Sequence, residues 1–106
     1  MHIQMRALTG LIEVIATDAA NHSTLVRAHV WRQESGGWAY LLRVQIGDDT
    51  DLDILEGTYL CADRERALRW ILPTMTATIE AYLPDLRDVW HCWKESAVQA
   101  AFEDDK

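Results

Sequence analysis

The chain has 106 residues, of which 49% are hydrophobic, and seventeen acidic against ten basic residues give it a formal net charge of −7. A chain of this length usually forms one domain around one hydrophobic core, so residues 1–106 are predicted to be a single domain. The excess negative charge repels nucleic acid at long range and favours a basic surface on another protein as the partner. No apolar run is long enough to span a bilayer and no secretory signal opens the sequence, so we expect a cytoplasmic protein without membrane contact.

The two cysteines, Cys61 and Cys92, are too few for a disulfide framework in a chain that has material for a core. Unpaired cysteine is among the most buried residue types and packs as a small hydrophobe. We therefore expect both thiols to be reduced and buried.

Two runs of β-branched and aromatic residues, 24–32 and 38–46, flank a short segment that contains two adjacent glycines. Such runs around a short glycine-containing connection predict a β-hairpin. Alternation along the hairpin predicts that one side faces the core and is formed by Val26, Ala28, Val30, Trp38, Tyr40, Leu42, Val44 and Ile46.

The other side of the hairpin carries Arg27, His29, Trp31 and Arg43. If Arg32 pairs with Trp38, then Arg27 lies directly opposite Arg43. Like charges in that arrangement destabilise a sheet unless an acid intervenes. The aromatic and basic mixture also resembles sheets that stack nucleic-acid bases, which gives a candidate single-stranded nucleic-acid-binding face.

Two further strands are predicted around the hairpin. The segment 11–19 fits either a strand or a helical stripe, and its β-branched Ile12, Val14 and Ile15 favour a strand. A short strand is expected from Leu55 to Cys61. The sheet would then contain about three or four antiparallel strands.

The second half of the chain has helical periodicity. Asp63 is a suitable N-cap for a helix over 63–83, and Pro73 inside this helix predicts a kink or two abutting helices. Pro84 ends that segment, and Asp85 is expected to cap a last helix over 86–102. Strands followed by helices predict an α+β fold, with a small antiparallel sheet packed against the two C-terminal helices.

An acidic stretch follows the hairpin. Its aspartates at positions 49, 51 and 53 have the spacing of the first half of an EF-hand calcium loop, but Ile54 and Leu60 stand where the glycine and the last ligand should be. No metal or cofactor is therefore expected. Two interpretations stay open: a solvated loop between strands, or a negative patch for a basic partner. The candidate partner-binding residues are Asp48, Asp49, Asp51, Asp53 and Glu56.

Catalytic residues are not evident. His91 and Cys92 resemble a base and a nucleophile, but neighbours in a helix point about 100° apart, so His91 is predicted at the surface and Cys92 near the core. No catalytic residue is assigned. A small enzyme using Cys92 or Cys61 is retained as an alternative.

Of the five tryptophans, Trp70, Trp90 and Trp93 are predicted to lie in the core, from their helical spacing. Trp31 is expected to be exposed, where it could anchor a protein interface. A homodimer contact at Trp31 is one form of such an interface.

The order of elements over residues 24–83 is similar to that of small sheet-plus-helix modules in accessory proteins of bacteria and their mobile elements. These include inhibitors of defence enzymes and immunity proteins. The resemblance and the charge together favour a non-catalytic binding protein, an inhibitor, immunity or accessory protein, that docks an acidic surface on a basic site of a partner protein.

Overall fold

The structure is a computed structural model and describes residues 1–103. Its fold is α+β, as predicted, with a five-stranded antiparallel sheet in the order β1-β2-β3-β4-β5 and two C-terminal helices packed on it. The sheet thus has more strands than the sequence predicts. The elements are β1 (His2–Leu8), β2 (Leu11–Thr17), β3 (Ser23–Arg32), β4 (Trp38–Ile46), β5 (Thr50–Tyr59), α1 (Arg64–Tyr82) and α2 (Arg87–Phe102).

The predicted hairpin is confirmed as β3 and β4. Arg32 pairs with Trp38, so Arg27 lies opposite Arg43 as that register requires. The connection turns through Gly36 and Gly37, whose φ angles of 86° and 83° lie in the region that favours glycine.

The first strand was not predicted, whereas the strand assignment of the second is confirmed. Polar residues on β1 alternate with Ile3, Met5 and Ala7, of which Ile3 is exposed and the other two are half-buried against the core. Such a weakly apolar edge strand gives little sequence signal. β2 carries Ile12 and Val14, and both are fully buried.

The core lies between one face of the sheet and the two helices. α1 packs mainly on β3 and β4, and α2 packs on β1 and β2. Apolar side chains of alternate strand residues meet apolar stripes of both helices, which is the arrangement that a two-layer α+β domain requires. The largest fully buried side chains are Trp90, Ile12, Leu42, Leu68, Ile71, Met75, Ile79, Leu86, Val14, Val26, Val44 and Val98.

Helix α1 begins as predicted, because the Asp63 carboxylate accepts a hydrogen bond of 2.9 Å from the Arg66 amide. It continues through Pro73 as one helix, so two abutting helices are not observed. Pro73 is exposed. The carbonyl of Arg69, which loses its helical donor there, can therefore be hydrated at low cost.

Helix α2 starts differently from the prediction. Residues Pro84–Leu86 form a 3-10 turn that contains Asp85, and no side chain caps the first turn of α2. The predicted Asp85 cap is therefore wrong. Leu86, the residue that precedes α2, is buried in the core. Within residues 1–103, neither helix has the length and apolar character that crossing a membrane requires.

Candidate binding surface

One face of the sheet is left uncovered, because both helices pack on the other face and no segment within residues 1–103 covers it. Residues paired directly across antiparallel strands share a face, so the registers define its membership. We call this surface the open face. It contains His2, Gln4, Arg6, Leu8, Leu11, Glu13, Ile15, Thr17, Ser23, Leu25, Arg27, His29, Trp31, Ala39, Leu41, Arg43, Gln45, Asp51, Asp53, Glu56 and Thr58.

A row of charged side chains crosses all five strands of the open face. Arg6 lies opposite Glu13, Glu13 opposite Arg27, Arg27 opposite Arg43, and Arg43 opposite Asp53. Glu13 is only 4% exposed and makes salt bridges with both Arg6 and Arg27, the latter at 2.8 Å from Nε. The Arg43 Nε donates to Asp53 Oδ1 at 2.7 Å. Each member of the Arg27–Arg43 like-charge pair thus has an acid on its outer side, which offsets the predicted repulsion.

The Arg43–Asp53 contact also affects titration. Its hydrogen bond lowers the pKa of Asp53 and raises the pKa of Arg43. Both groups therefore keep their charges at neutral pH. Each group is thus the ion-pair partner of the other within the sheet.

The acidic stretch is not a long loop. Only the segment 47–49 turns, and the chain then forms β5 from Thr50 to Tyr59. Of the alternate aspartates that resemble half a calcium loop, Asp51 and Asp53 follow the two-residue repeat of this strand and lie on the open face, where Glu56 joins them. Asp48 and Asp49 lie in the turn.

A β-bulge brings these three carboxylates to one face. Leu42 pairs with Leu55 and Arg43 pairs with Asp53, so Ile54 is the extra residue of β5. Strict alternation would place Asp53 and Glu56, three residues apart, on opposite faces. The bulge resets the alternation and turns Glu56 to the side of Asp53.

Trp31 and His29 form an aromatic pair near one end of the open face. Their ring centroids lie 4.9 Å apart, and Trp31 is 42% exposed, which confirms its predicted exposure. Partial burial lowers the pKa of His29, and the charge of Arg27 lowers it further, so the imidazole is neutral at pH 7. A groove of about 380 Å³ lies beside Trp31 and reaches Glu56 and Thr58 on β5.

The helical tryptophans divide between core and surface. Trp90 is fully buried and Trp93 packs against the core, but Trp70 is 48% exposed, so its predicted core position is wrong. Its indole stacks on Tyr59 at 4.9 Å and meets Tyr40 edge-on at 6.4 Å. α1 passes over β3 and β4 and leaves β5 largely uncovered, so Trp70 projects beyond the core toward the edge of the sheet.

The cysteines do not pack as predicted. Cys92 is exposed and Cys61 is half-buried, with its thiol 3.4 Å from the Asp63 carbonyl oxygen. Cys92 lines an apolar groove, of which His91 is not a lining residue. His91, at the surface as predicted, instead contacts Glu80 of α1 at 3.0 Å, an interaction that sequence spacing could not reveal.

Within residues 1–103, histidine, cysteine and carboxylate side chains form no group of three that could hold a metal ion. Comparisons with protein-family models, with curated proteins and with solved structures give no match to this chain.

Proposed function

We propose that this chain is a non-catalytic binding protein that docks the acidic β5 side of its open face on a basic site of another protein. The observation that carries the proposal is the convergence of Asp51, Asp53 and Glu56 on a sheet face that no described segment covers. An inhibitor, immunity or accessory protein acts through a surface of this kind.

Of the five candidate acids, only Asp53 forms a salt bridge and hydrogen bonds, both with Arg43. Asp51 and Glu56 lie near enough to the same arginine to raise its pKa, but within residues 1–103 neither they nor the turn residues Asp48 and Asp49 make a salt bridge or side-chain hydrogen bond. Unpaired carboxylates at an exposed strand and turn attract a basic surface before contact. This attraction raises the association rate and makes that rate sensitive to salt.

The nucleic-acid alternative has less support. Arg27 and Arg43 are the basic residues that would meet phosphate, but each already contacts a carboxylate, Glu13 or Asp53. A phosphate would have to compete with these acids, and it would approach a chain with net charge −7. Trp31 is the single tryptophan on the open face and serves a protein interface equally well.

The test compares two variants of equal net charge. One replaces the unpaired acids, D48N/D49N/D51N/E56Q, and keeps the Asp53–Arg43 salt bridge. Its control, E34Q/D85N/D88N/E103Q, removes four acids that lie outside the open face.

Each variant and the wild-type protein are used for affinity capture from the source cells, followed by mass spectrometry and association kinetics at two salt concentrations. We expect the wild type and the control to capture the same basic protein and the first variant to bind it more slowly, with a weaker dependence on salt. Equal capture and equal association rates for both variants at low salt would contradict the proposal.

A further inference from the structure

Strand β5 forms an exposed edge of the sheet. One side pairs with β4, and within residues 1–103 the other side pairs with no strand. Along β5 only Leu55 and Tyr59 are half-buried, and all other residues are exposed. An edge of this kind presents unpaired backbone N–H and C=O groups to an incoming strand.

Along each strand of an antiparallel sheet, successive residues direct their backbone N–H and C=O groups alternately to one neighbouring strand and to the other. This alternation determines which residues of β5 carry the outward groups. The Gln33 amide donates to the Gly37 carbonyl at 3.1 Å, and the Gly47 amide donates to the Ser23 carbonyl at 2.8 Å. These bonds occur at both ends of the β3–β4 ladder, so odd-numbered residues of β4 bond to β3 and even-numbered ones bond to β5. The residues of β5 that pair with odd-numbered ones therefore turn their backbone groups outward: Asp51, Asp53, Glu56 and Thr58.

Three of these four residues are the carboxylates of the open face. A strand added antiparallel to β5 would place its alternate side chains directly opposite Asp51, Asp53 and Glu56 as hydrogen-bonded cross-strand pairs, within reach of long side chains. Lysine or arginine at those positions would be favourable. A second copy of β5 would bring acids against acids, which disfavours self-pairing.

The opposite side of the edge is apolar. Leu52 pairs with Val44 and Leu55 pairs with Leu42, so both project toward the helix side of the sheet, where Leu52 remains 38% exposed. The intervening side chains of an added strand would extend this apolar strip. The edge therefore matches a segment in which basic and apolar residues alternate.

We infer that the partner docks by adding a basic, extended segment to β5 as an antiparallel sixth strand. The inference rests on the proposed acidic docking and specifies its form: main-chain hydrogen bonds supply pairing, and the carboxylates select lysine or arginine. The bulge at Ile54 restricts the strands that fit, because it twists the edge locally.

The test uses the full-length protein and a short synthetic peptide of alternating lysine and valine. Two N-methylated forms have the same sequence and charge: one carries the methyl groups on the lysine amides, the other on the valine amides. In the antiparallel arrangement the lysine amides point at β5 and the valine amides point away. We expect the lysine-methylated peptide to bind at least about tenfold more weakly than the valine-methylated one, because it loses several backbone hydrogen bonds.

A change in the protein provides the complementary test. Thr58→Pro removes one outward N–H without altering charge, and proline is tolerated at such edge positions. Thr58→Ser is the control. We expect weaker peptide binding by the proline variant alone, with folding verified by circular dichroism, and the methylated peptides keep the test decisive if that variant does not fold.

The outcomes separate the two proposals. Equal binding of the two methylated peptides, with binding still lost in D48N/D49N/D51N/E56Q, would overturn strand addition and leave acidic docking intact. Binding of the unmodified peptide equally to that variant and to the wild type would overturn both. A wild-type dimer in sedimentation that Thr58→Pro abolishes would overturn the basic occupant and assign the edge to a second copy.

Discussion

Glu13 and Arg27 lie directly opposite each other on β2 and β3, and the Arg27 Nε donates to Glu13 Oε2 at 2.8 Å. Arg6 contacts the other oxygen of the same carboxylate from β1. A nearly buried acid therefore holds two arginines on the face of the sheet that the helices leave open. This contact joins three strands and orders one end of the charged row.

Replacing Glu13 by glutamine should destabilise the protein, because Arg6 and Arg27 would keep their charges beside a neutral amide. Arg27 would then lie opposite the positive charge of Arg43 without an acid of its own. Removing one partner of a fully buried ion pair costs roughly 3 to 5 kcal/mol; here both arginines stay partly hydrated, so we expect about 2 kcal/mol. Urea unfolding measures the loss as a lower midpoint at constant slope. The control is Glu34→Gln at an exposed site, and equal stability of the two variants would contradict the expectation.

Gly10 should tolerate no side chain. Its φ is 73°, and a Cβ there would stand 2.5 Å from the Val30 carbonyl oxygen, a backbone atom held in the sheet. We expect Gly10→Ala to lower the free energy of unfolding by more than about 2 kcal/mol. Gly36 has a similar φ of 86° but nothing within 4 Å of the added carbon, so Gly36→Ala should cost only the backbone strain of about 1 kcal/mol. If Gly10→Ala and Gly36→Ala lowered the free energy of unfolding by similar amounts in thermal or urea unfolding, the close approach to Val30 would be unimportant.

The hydroxyl of Thr76 should matter more than its methyl group. The fully buried Trp90 donates its indole N–H to Thr76 Oγ1 at 2.9 Å, which joins α1 to α2. Thr76→Val leaves that N–H without an acceptor, and we expect a loss of about 1 to 3 kcal/mol in urea unfolding. Thr76→Ser keeps the acceptor and should lose much less. The reverse order of stability would mean that packing of the methyl group dominates.

The predictable part of this fold is the part where alternation is strong. Apolar residues alternate along β3 and β4, as with Val26 and Val30 on one strand and Val44 on the other, so the core face and the register of the hairpin follow from the sequence. β1 lacks that signal because its inward residues are only weakly apolar. It forms because β2 pairs with it along its whole length and α2 packs on its inner side. Both contacts belong to the tertiary structure and cannot be read from the local sequence.

The candidate surface was predictable in its residues but not in its geometry. Counting by twos puts Asp53 and Glu56 on different faces, and the bulge at Ile54 that unites them exists only in the pairing with β4. Helical spacing likewise cannot tell how far α1 covers the sheet, which decides that Trp70 is a surface residue. Long-range pairing, rather than local propensity, determined both outcomes.

Single-stranded DNA should not bind the open face. The two central arginines are each paired with a carboxylate, and the chain carries net negative charge, so little counterion release is available to drive binding. Fluorescence anisotropy with a labelled mixed-sequence oligonucleotide at low salt should show no change. Salt-sensitive binding that Trp31→Ala weakens would contradict this and favour the nucleic-acid alternative.

His29 should make stability depend on pH below neutrality. Its pKa in the folded protein is lowered from the ordinary 6.5, first by burial and then by the charge of Arg27, so the unfolded chain binds a proton at a higher pH than the folded protein does. Between those two pKa values the unfolded state holds more protons, and the free energy of unfolding therefore falls as the pH drops below about 6.5.

Well above pH 7 His29 is neutral in both states, so this contribution to the pH dependence vanishes there. His29→Gln removes the titrating group and should reduce the loss of stability between pH 7 and pH 5.5, measured by urea unfolding of both proteins across that range. The other histidines and the carboxylates are common to the two proteins and cancel in the comparison. An NMR titration of the His29 ring reports the lowered pKa directly, and identical stability profiles for the two proteins would show that burial of this imidazole does not disfavour its charged form.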